Sequence, residues 1–168
     1  MFSRFDEKVK KGFLEKYKIN VYDGRLIPPE NSEFTSNENL FSYQAKILLD
    51  MARQESFVVL GRGANYVLRT FPNVISVNVQ APFEDCVEEI MLKNSMSAKE
   101  AIREIRRIDK YRAEYCRHHT GNEWLDTTNY DLCLNSSRVG RDKCVDVIKD
   151  YITIKTGILL ENGTKGDK

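Results

Sequence analysis

Arg62 stands between Gly61 and Gly63, directly after the apolar run 57–60, in the stretch FVVLGRGANYVL. Glycines lack Cβ, so a pair of them lets a ligand or another backbone come close. Helix N–H groups just downstream would favour an anion at that point. The same residues also fit a Gly-rich turn whose arginine reaches solvent, and spacing alone leaves both readings open. The second group lies in SAKEAIREIRRIDKYRAEYCRHH, residues 97–119. At about 100° per residue, Ala101, Ile102, Ile105, Ile108, Tyr115 and Cys116 form an apolar stripe. Arg103, Arg106, Arg107, Lys110, Glu114 and Arg117 fall opposite, on a face that reads as solvated. Asp109 and Arg112, three positions apart, are predicted on the apolar side. A charge there needs a partner or a ligand, because an isolated buried charge is costly. One reading is an Asp–Arg pair that locks the helix to the core. The other is a pair facing a cleft and gripping an anion. The guanidinium fork suits phosphate, and converging arginines are what phosphoryl transfer uses to hold charge on equatorial oxygens.

Other chemistry-bearing residues read more plainly. Cys116, His118 and His119 are close in sequence, but no second ligand pair at zinc spacing accompanies them, so no metal site is expected. The two histidines suit the negative end of a helix dipole. Tyr111 and Tyr115 fit core packing or stacking on a base. Trp124 fits the cover of a hydrophobic edge, and Asp131 opens a strand without an indicated metal partner. Cysteines at 86, 116, 133 and 144 form no CxxC motif and read as reduced, partly buried thiols.

The elements that must position these residues follow from punctuation and period. Residues 20–37, with Gly24, Pro28 and Pro29, read as a loop or mobile segment. A helix is predicted from Asn37, with Leu40, Phe41, Ile47, Leu48 and Met51 at helical spacing. Residues 57–60 read as a strand covered on both faces, and 64–68 as a short helix. A turn at 71–73 leads to a second strand, 74–79, stopped by Ala81-Pro82. Residues 83–92 are predicted helical. Ser97 with Glu100 three residues later forms a capping box for the long helix. A third strand, 130–135, precedes a last helix, 141–151, and residues 160–168 read as a frayed tail. Strands alternating with helices predict a parallel α/β sheet. Ligands in such sheets sit beyond the carboxyl ends of the strands, here at 61–63, 80–82 and 135–137.

The chain of 168 residues is long enough for one domain with a real core. Lys and Arg total 26 against 25 Asp and Glu, a net charge of +1, so no global bias draws it to nucleic acid or a membrane. No apolar run approaches the roughly 20 residues of a spanning helix. The start MFSRFDEKVKK has no apolar signal region, and a cytoplasmic address is the default expectation. The Arg-rich helix lacks an aromatic stacking surface that would favour nucleic acid.

GRGANYVL, the proline-stopped strand and IRRIDKYRAEYCRHHTGNEWLDTTNYDLCLNSS together resemble the cytidylate kinase-like family of nucleoside monophosphate kinases. The resemblance runs from about residue 38 to 151, and RFDEK near the N-terminus extends it. It implies a single domain over 1–168, with a core at about 38–155 and a variable segment at 1–37. The implied fold is a three-layer P-loop-kinase-like α/β sheet with flanking helices. It also implies ATP and Mg2+ as cofactors and CMP or a similar monophosphate as acceptor. Carried over by position, Gly61, Arg62, Asp109 and Arg112 bind substrate, with Arg62 and Arg112 at the transferring phosphate. Arg106 and Arg107 lie near a further family arginine. Cytidylate kinases proper carry Gly-Arg-Asp after the strand, and this chain has Gly63 in place of that aspartate. The family's opening strand and phosphate loop are not found: there is no GxxxxGK[ST], and Gly12 and Gly24 are isolated. The resemblance then implies a chain truncated at its N-terminus, with the first, central strand missing and two hydrophobic strand edges exposed. A neighbouring copy in a homo-oligomer, or residues 17–22, would fill the gap. The alternative is a non-catalytic nucleotide- or anion-binding module descended from such a kinase.

Overall fold

The computed structural model describes residues 23–159. The RFDEK stretch, residues 17–22 and the tail 160–168 lie outside the described residues. The described residues divide into two compact units, one of residues 23–70 and 103–126, the other of 71–102 and 127–159.

In the first unit, helix α1 spans Asn37–Gln54. The Ser36 side chain accepts from the Asn39 N–H and caps its start, a contact that contributes about 1 kcal/mol. Its apolar face buries Phe41, Ala45 and Leu48. The loop before it is tied down by Asn39, which is buried. The Asn39 Oδ1 accepts from Ile27 N at 2.7 Å, and Nδ2 donates to the carbonyls of Ile27 and Phe34 at 3.1 and 2.7 Å. Helix α2 is one turn, Ala64–Val67, with Ala64, Val67 and Leu68 buried.

The strand expected at 57–60 does not form. These residues pair with no strand among the described residues, and Val58 and Leu60 are 91% and 88% exposed. Phe57 and Val59 are half-buried. Side chains alternate as in an extended chain, but a sheet needs a ladder partner, and none supplies the second face that the apolar run anticipates.

The second unit holds the sheet. Strands β1, Val77–Gln80, and β2, Leu132–Asn135, pair in parallel with Val77 opposite Leu132 and Gln80 opposite Asn135. The fold is therefore α/β with a small parallel sheet and flanking helices. Helix α3, Phe83–Asn94, opens with Glu84 and Asp85 in its first turn, where negative charge complements the helix dipole. Helix α4, Ala98–Thr120, begins in this unit and ends in the first. Its capping box forms: Glu100 Oε2 accepts from Ser97 N at 2.9 Å while Ser97 Oγ accepts from Glu100 N at 3.4 Å. A 3-10 turn, Thr127–Asn129, leads to β2. Helix α5, Ser136–Val139, is a single turn, and α6, Arg141–Thr156, closes with Gly157 in the left-handed conformation. Among the described residues of this unit, Val87, Ala101, Leu134 and Cys144 are the buried apolar side chains. Asp131 is a structural residue: its carboxylate accepts from Ser76 N at 2.8 Å and from Lys155 Nζ at 2.9 Å. No helix among the described residues is long and apolar enough to cross a membrane.

Candidate functional site

The Arg62 turn is built from backbone conformation. Gly61, Arg62 and Gly63 have φ of 69°, 59° and 64°, three left-handed residues in succession. Glycine adopts this region freely, whereas a residue with a Cβ is raised by roughly 1–2 kcal/mol there. The N–H groups of Ala64, Tyr66 and Val67 return to the carbonyls of Gly61, Gly63 and Gly63 at 3.0–3.1 Å. Those three donors are thus engaged within the turn and α2 rather than aimed at an anion. Gly63 is required by space as well as by φ. A Cβ there would sit 3.2 Å from Phe41 Cε2 and 3.3 Å from Thr120 Cγ2. The turn is therefore seated on α1 and on the end of α4.

Beneath it lies an aromatic cluster. His119, 4% exposed, stacks on Phe41 with centroids 4.4 Å apart and planes 10° apart. Tyr115 lies 4.5 Å from His119 and meets Phe41 edge-on at 6.1 Å, and Tyr111 follows one turn earlier, 6.1 Å from Tyr115. Burial, helped by His118 beside it, pushes the His119 pKa down to about 4, against the weaker pull of Glu38. The ring is neutral at pH 7, and its buried Nδ1 has no hydrogen-bond partner. This corrects the expectation that His119 serves the helix dipole as a cation. His118 instead faces Glu38, with Nε2 3.1 Å from Oε1. Burial raises the Tyr115 pKa, with the Arg62 charge pulling the other way, so the phenol stays protonated at neutral pH.

Asp109 and Arg112 meet as an i,i+3 pair, Nη1 to Oδ1 at 3.1 Å, with both side chains substantially exposed at 42% and 56%. Arg112 is thus not buried, as the helical wheel had placed it. Its guanidinium lies 5.5 Å from the centre of the Trp124 ring, a cation–π approach near the outer limit of such contacts. An exposed pair contributes little to stability, so it does not lock the helix to a core. Arg107 is engaged by Glu104 through two bonds of 2.9 and 2.7 Å, and Arg117 similarly by Glu123. Arg106 lies exposed on the same helix. All five candidate side chains, Arg62, Arg106, Arg107, Asp109 and Arg112, belong to the first unit. No group of three Cys, His, Asp or Glu side chains among the described residues could hold a metal ion. The Cys116 thiol is pushed up by burial, with Thr120 partly offsetting, which makes it a poor nucleophile.

Sequence reasoning missed Asn39 and the role of His119. The spacing Tyr111, Tyr115, His119 signals one aromatic row along α4, but its partner Phe41 lies on a helix distant in sequence.

No curated protein matches the chain. The crystal structure of an uncharacterized protein from Eubacterium ventriosum ATCC 27560 is similar, with a TM-score of 0.66 and 26% identity, covering 87% of this chain and 89% of that one. The model of the cytidylate kinase-like family matches residues 1–138, a span that takes in the Gly61–Gly63 turn, the Asp109–Arg112 pair and β2. The chain belongs to the cytidylate kinase-like family.

Proposed function

We propose that the first unit binds a nucleoside monophosphate and that this site serves phosphoryl transfer from ATP·Mg2+ to CMP or a similar phosphate acceptor. The observation that carries this reading is Arg62. An arginine in a left-handed backbone conformation, between glycines and over a packed aromatic cluster, persists only where the surroundings over-determine it. Such strain collects at ligand-gripping positions, and an arginine fork suits a phosphate dianion. Arg112, with Asp109, is the second grip; an incoming phosphate would compete with Asp109 for its exposed guanidinium. Family membership supports nucleotide substrates and, in general, ATP and Mg2+ as the donor pair. The described residues do not fit that pair: they gather no metal-binding group, and the 168 residues contain no GxxxxGK[ST] loop. The chemistry assigned to this chain's own side chains is therefore acceptor binding and neutralisation of charge on its phosphate. The same two observations favour a second reading, a module that binds a nucleotide without turning it over.

Calorimetric titration with CMP, alongside a coupled assay for ADP formation, separates the two. Turnover supports the kinase, and binding without turnover supports the module. In either case Arg62→Ala and Arg112→Ala should each weaken CMP binding by about 30- to 1000-fold, roughly 2–4 kcal/mol. Unchanged affinity in both variants would sink the acceptor site.

A further inference from the structure

The chain leaves α4 through Gly121, whose φ of 72° turns it back, with the Gly121 N–H donating to the Arg117 carbonyl at 3.0 Å. Two contacts hold the returning segment. Thr120 Oγ1 accepts from Asn122 N at 3.1 Å, and Arg117 grips the Glu123 carboxylate through two bonds of 2.9 and 2.8 Å. The next residue is Trp124. It is half-buried, and the Arg112 Cζ lies over its ring, 5.5 Å from the centre. Indole is the strongest aromatic partner for a cation.

Arg112 is thus held twice, and the two holds differ in what they leave to a ligand. Asp109 takes an Nη1 donor at 3.1 Å with an anionic oxygen, which an incoming phosphate must displace. The Trp124 ring attracts the cation through its quadrupole and places no acceptor oxygen on the fork. Arg107 and Arg117, in contrast, each commit two bonds to a carboxylate. Arg112 is exposed, so ordering it on a ligand costs rotamer freedom. A ring that holds it beforehand, and goes on holding it once Asp109 is displaced, removes part of that cost.

Resting on the acceptor reading of Arg112, we propose that Trp124 is a positioning residue: set by the Arg117–Glu123 clasp, its indole holds the Arg112 guanidinium for the phosphate of the bound monophosphate. Trp124 acts through Arg112 and does not touch the phosphate.

The test is a double-mutant cycle on the full chain, with CMP, UMP and AMP as probes in calorimetry. Trp124→Leu should weaken the best-bound of the three about two- to fivefold. In an Arg112→Ala background the same change should have no further effect. A Trp124→Leu variant that binds like the parent overturns the proposal. So does a loss of equal size with or without Arg112, because the indole would then stack on the base or support the fold directly. If Arg112→Ala itself leaves affinity unchanged, or the parent binds none of the three, the acceptor reading falls and this role with it. A ligand-free measurement stands apart from that reading. The NMR order parameter of the Arg112 Nε–H, assigned by its loss in Arg112→Lys, should fall in Trp124→Leu. It should fall also in Glu123→Ala, an exposed change that keeps the indole and opens the clasp. An unchanged value in Trp124→Leu overturns the proposal alone. Should that variant not fold, an unchanged value in Glu123→Ala does so.

Discussion

Two places in the chain carry a similar sequence signal: a short apolar run, four residues at 57–60 and three at 132–134, then polar or glycine punctuation and one turn of helix. At 132–135 the run is β2. It pairs with β1, buries Leu134 and ends at Asn135, whose side chain accepts from Ser137 N and Arg138 N at 3.1 and 3.2 Å. Ser136 Oγ adds a bond to the Gln80 carbonyl at 3.3 Å, tying the two strand ends together. At 57–60 the run has no partner strand, and Val58 and Leu60 face solvent. The turn that follows uses no side-chain cap. It uses three left-handed residues, one of them an arginine. The first turn satisfies its backbone by ordinary capping and is a structural joint. The second stores strain and is seated against Phe41 and Thr120, as the proposed acceptor site would require.

The largest expected effect sharpens that contrast within the Arg62 turn. Gly63→Ala should destabilise the protein by about 3 kcal/mol, combining left-handed strain with crowding against Phe41 and Thr120. Gly61→Ala carries similar φ strain but meets nothing within 4 Å, so about 1 kcal/mol is expected. Chemical denaturation of both variants measures the difference. Equal losses would mean that the seat on α1 and α4 does not hold the turn.

The next effect separates the two regions by pH. Folding lowers the His119 pKa from an ordinary 6.5 to about 4, so the unfolded chain binds the extra proton first. The stability this neutral ring contributes is complete above pH 6.5 and is lost as pH falls from 6.5 towards 4, by about 3 kcal/mol in all. At Asp131 burial acts to raise the pKa, but the Ser76 N–H and Lys155 outweigh it and hold the carboxyl below its usual 3.8. That contribution is present above pH 3.8 and disappears only as pH falls further, through the lowered value. The base of the Arg62 turn should therefore loosen at milder acid than the strand joint. His119→Phe should flatten the stability profile between pH 6.5 and 4 and leave the loss below pH 3.8 in place. A profile unaltered by this substitution would remove His119 as the cause.

How far the sequence reveals this molecule depends on whether a feature is local. The Ser97–Glu100 capping box and the period of α1 and α4 are legible, because helix caps and hydrophobic periods are set by neighbours in sequence, and the strands expected at 74–79 and 130–135 form, over the narrower spans 77–80 and 132–135. The absent strand at 57–60 is not, since an apolar run states what a segment would bury and not whether a partner arrives. Arg112 was misplaced for a related reason. The wheel fixes the direction of its Cβ, but a long arginine bends outward and keeps its charge in water. Arg62 was legible as a candidate from its two glycines. The strain it bears, and the stack of Phe41, Tyr115 and His119 beneath it, come from contacts between helices far apart in the chain.

The smallest effects give the sharpest discrimination between joint and site. Asn135→Ala removes the acceptor for two N–H groups and should cost about 1 kcal/mol of stability. A cap lost from a structural joint has no compensation. Arg62→Gly should behave in the opposite way. Glycine relieves about 1 kcal/mol of left-handed strain. It also loosens the unfolded chain, worth about 1 kcal/mol or less in the other direction. The net change in stability should lie within about 1 kcal/mol of zero, while CMP affinity falls as far as in Arg62→Ala. A residue kept for the fold would show its loss in the denaturation midpoint. A residue kept for a ligand shows it in the titration, and a marked destabilisation by Arg62→Gly with unchanged affinity would return the turn to the structural class of its counterpart at Asn135.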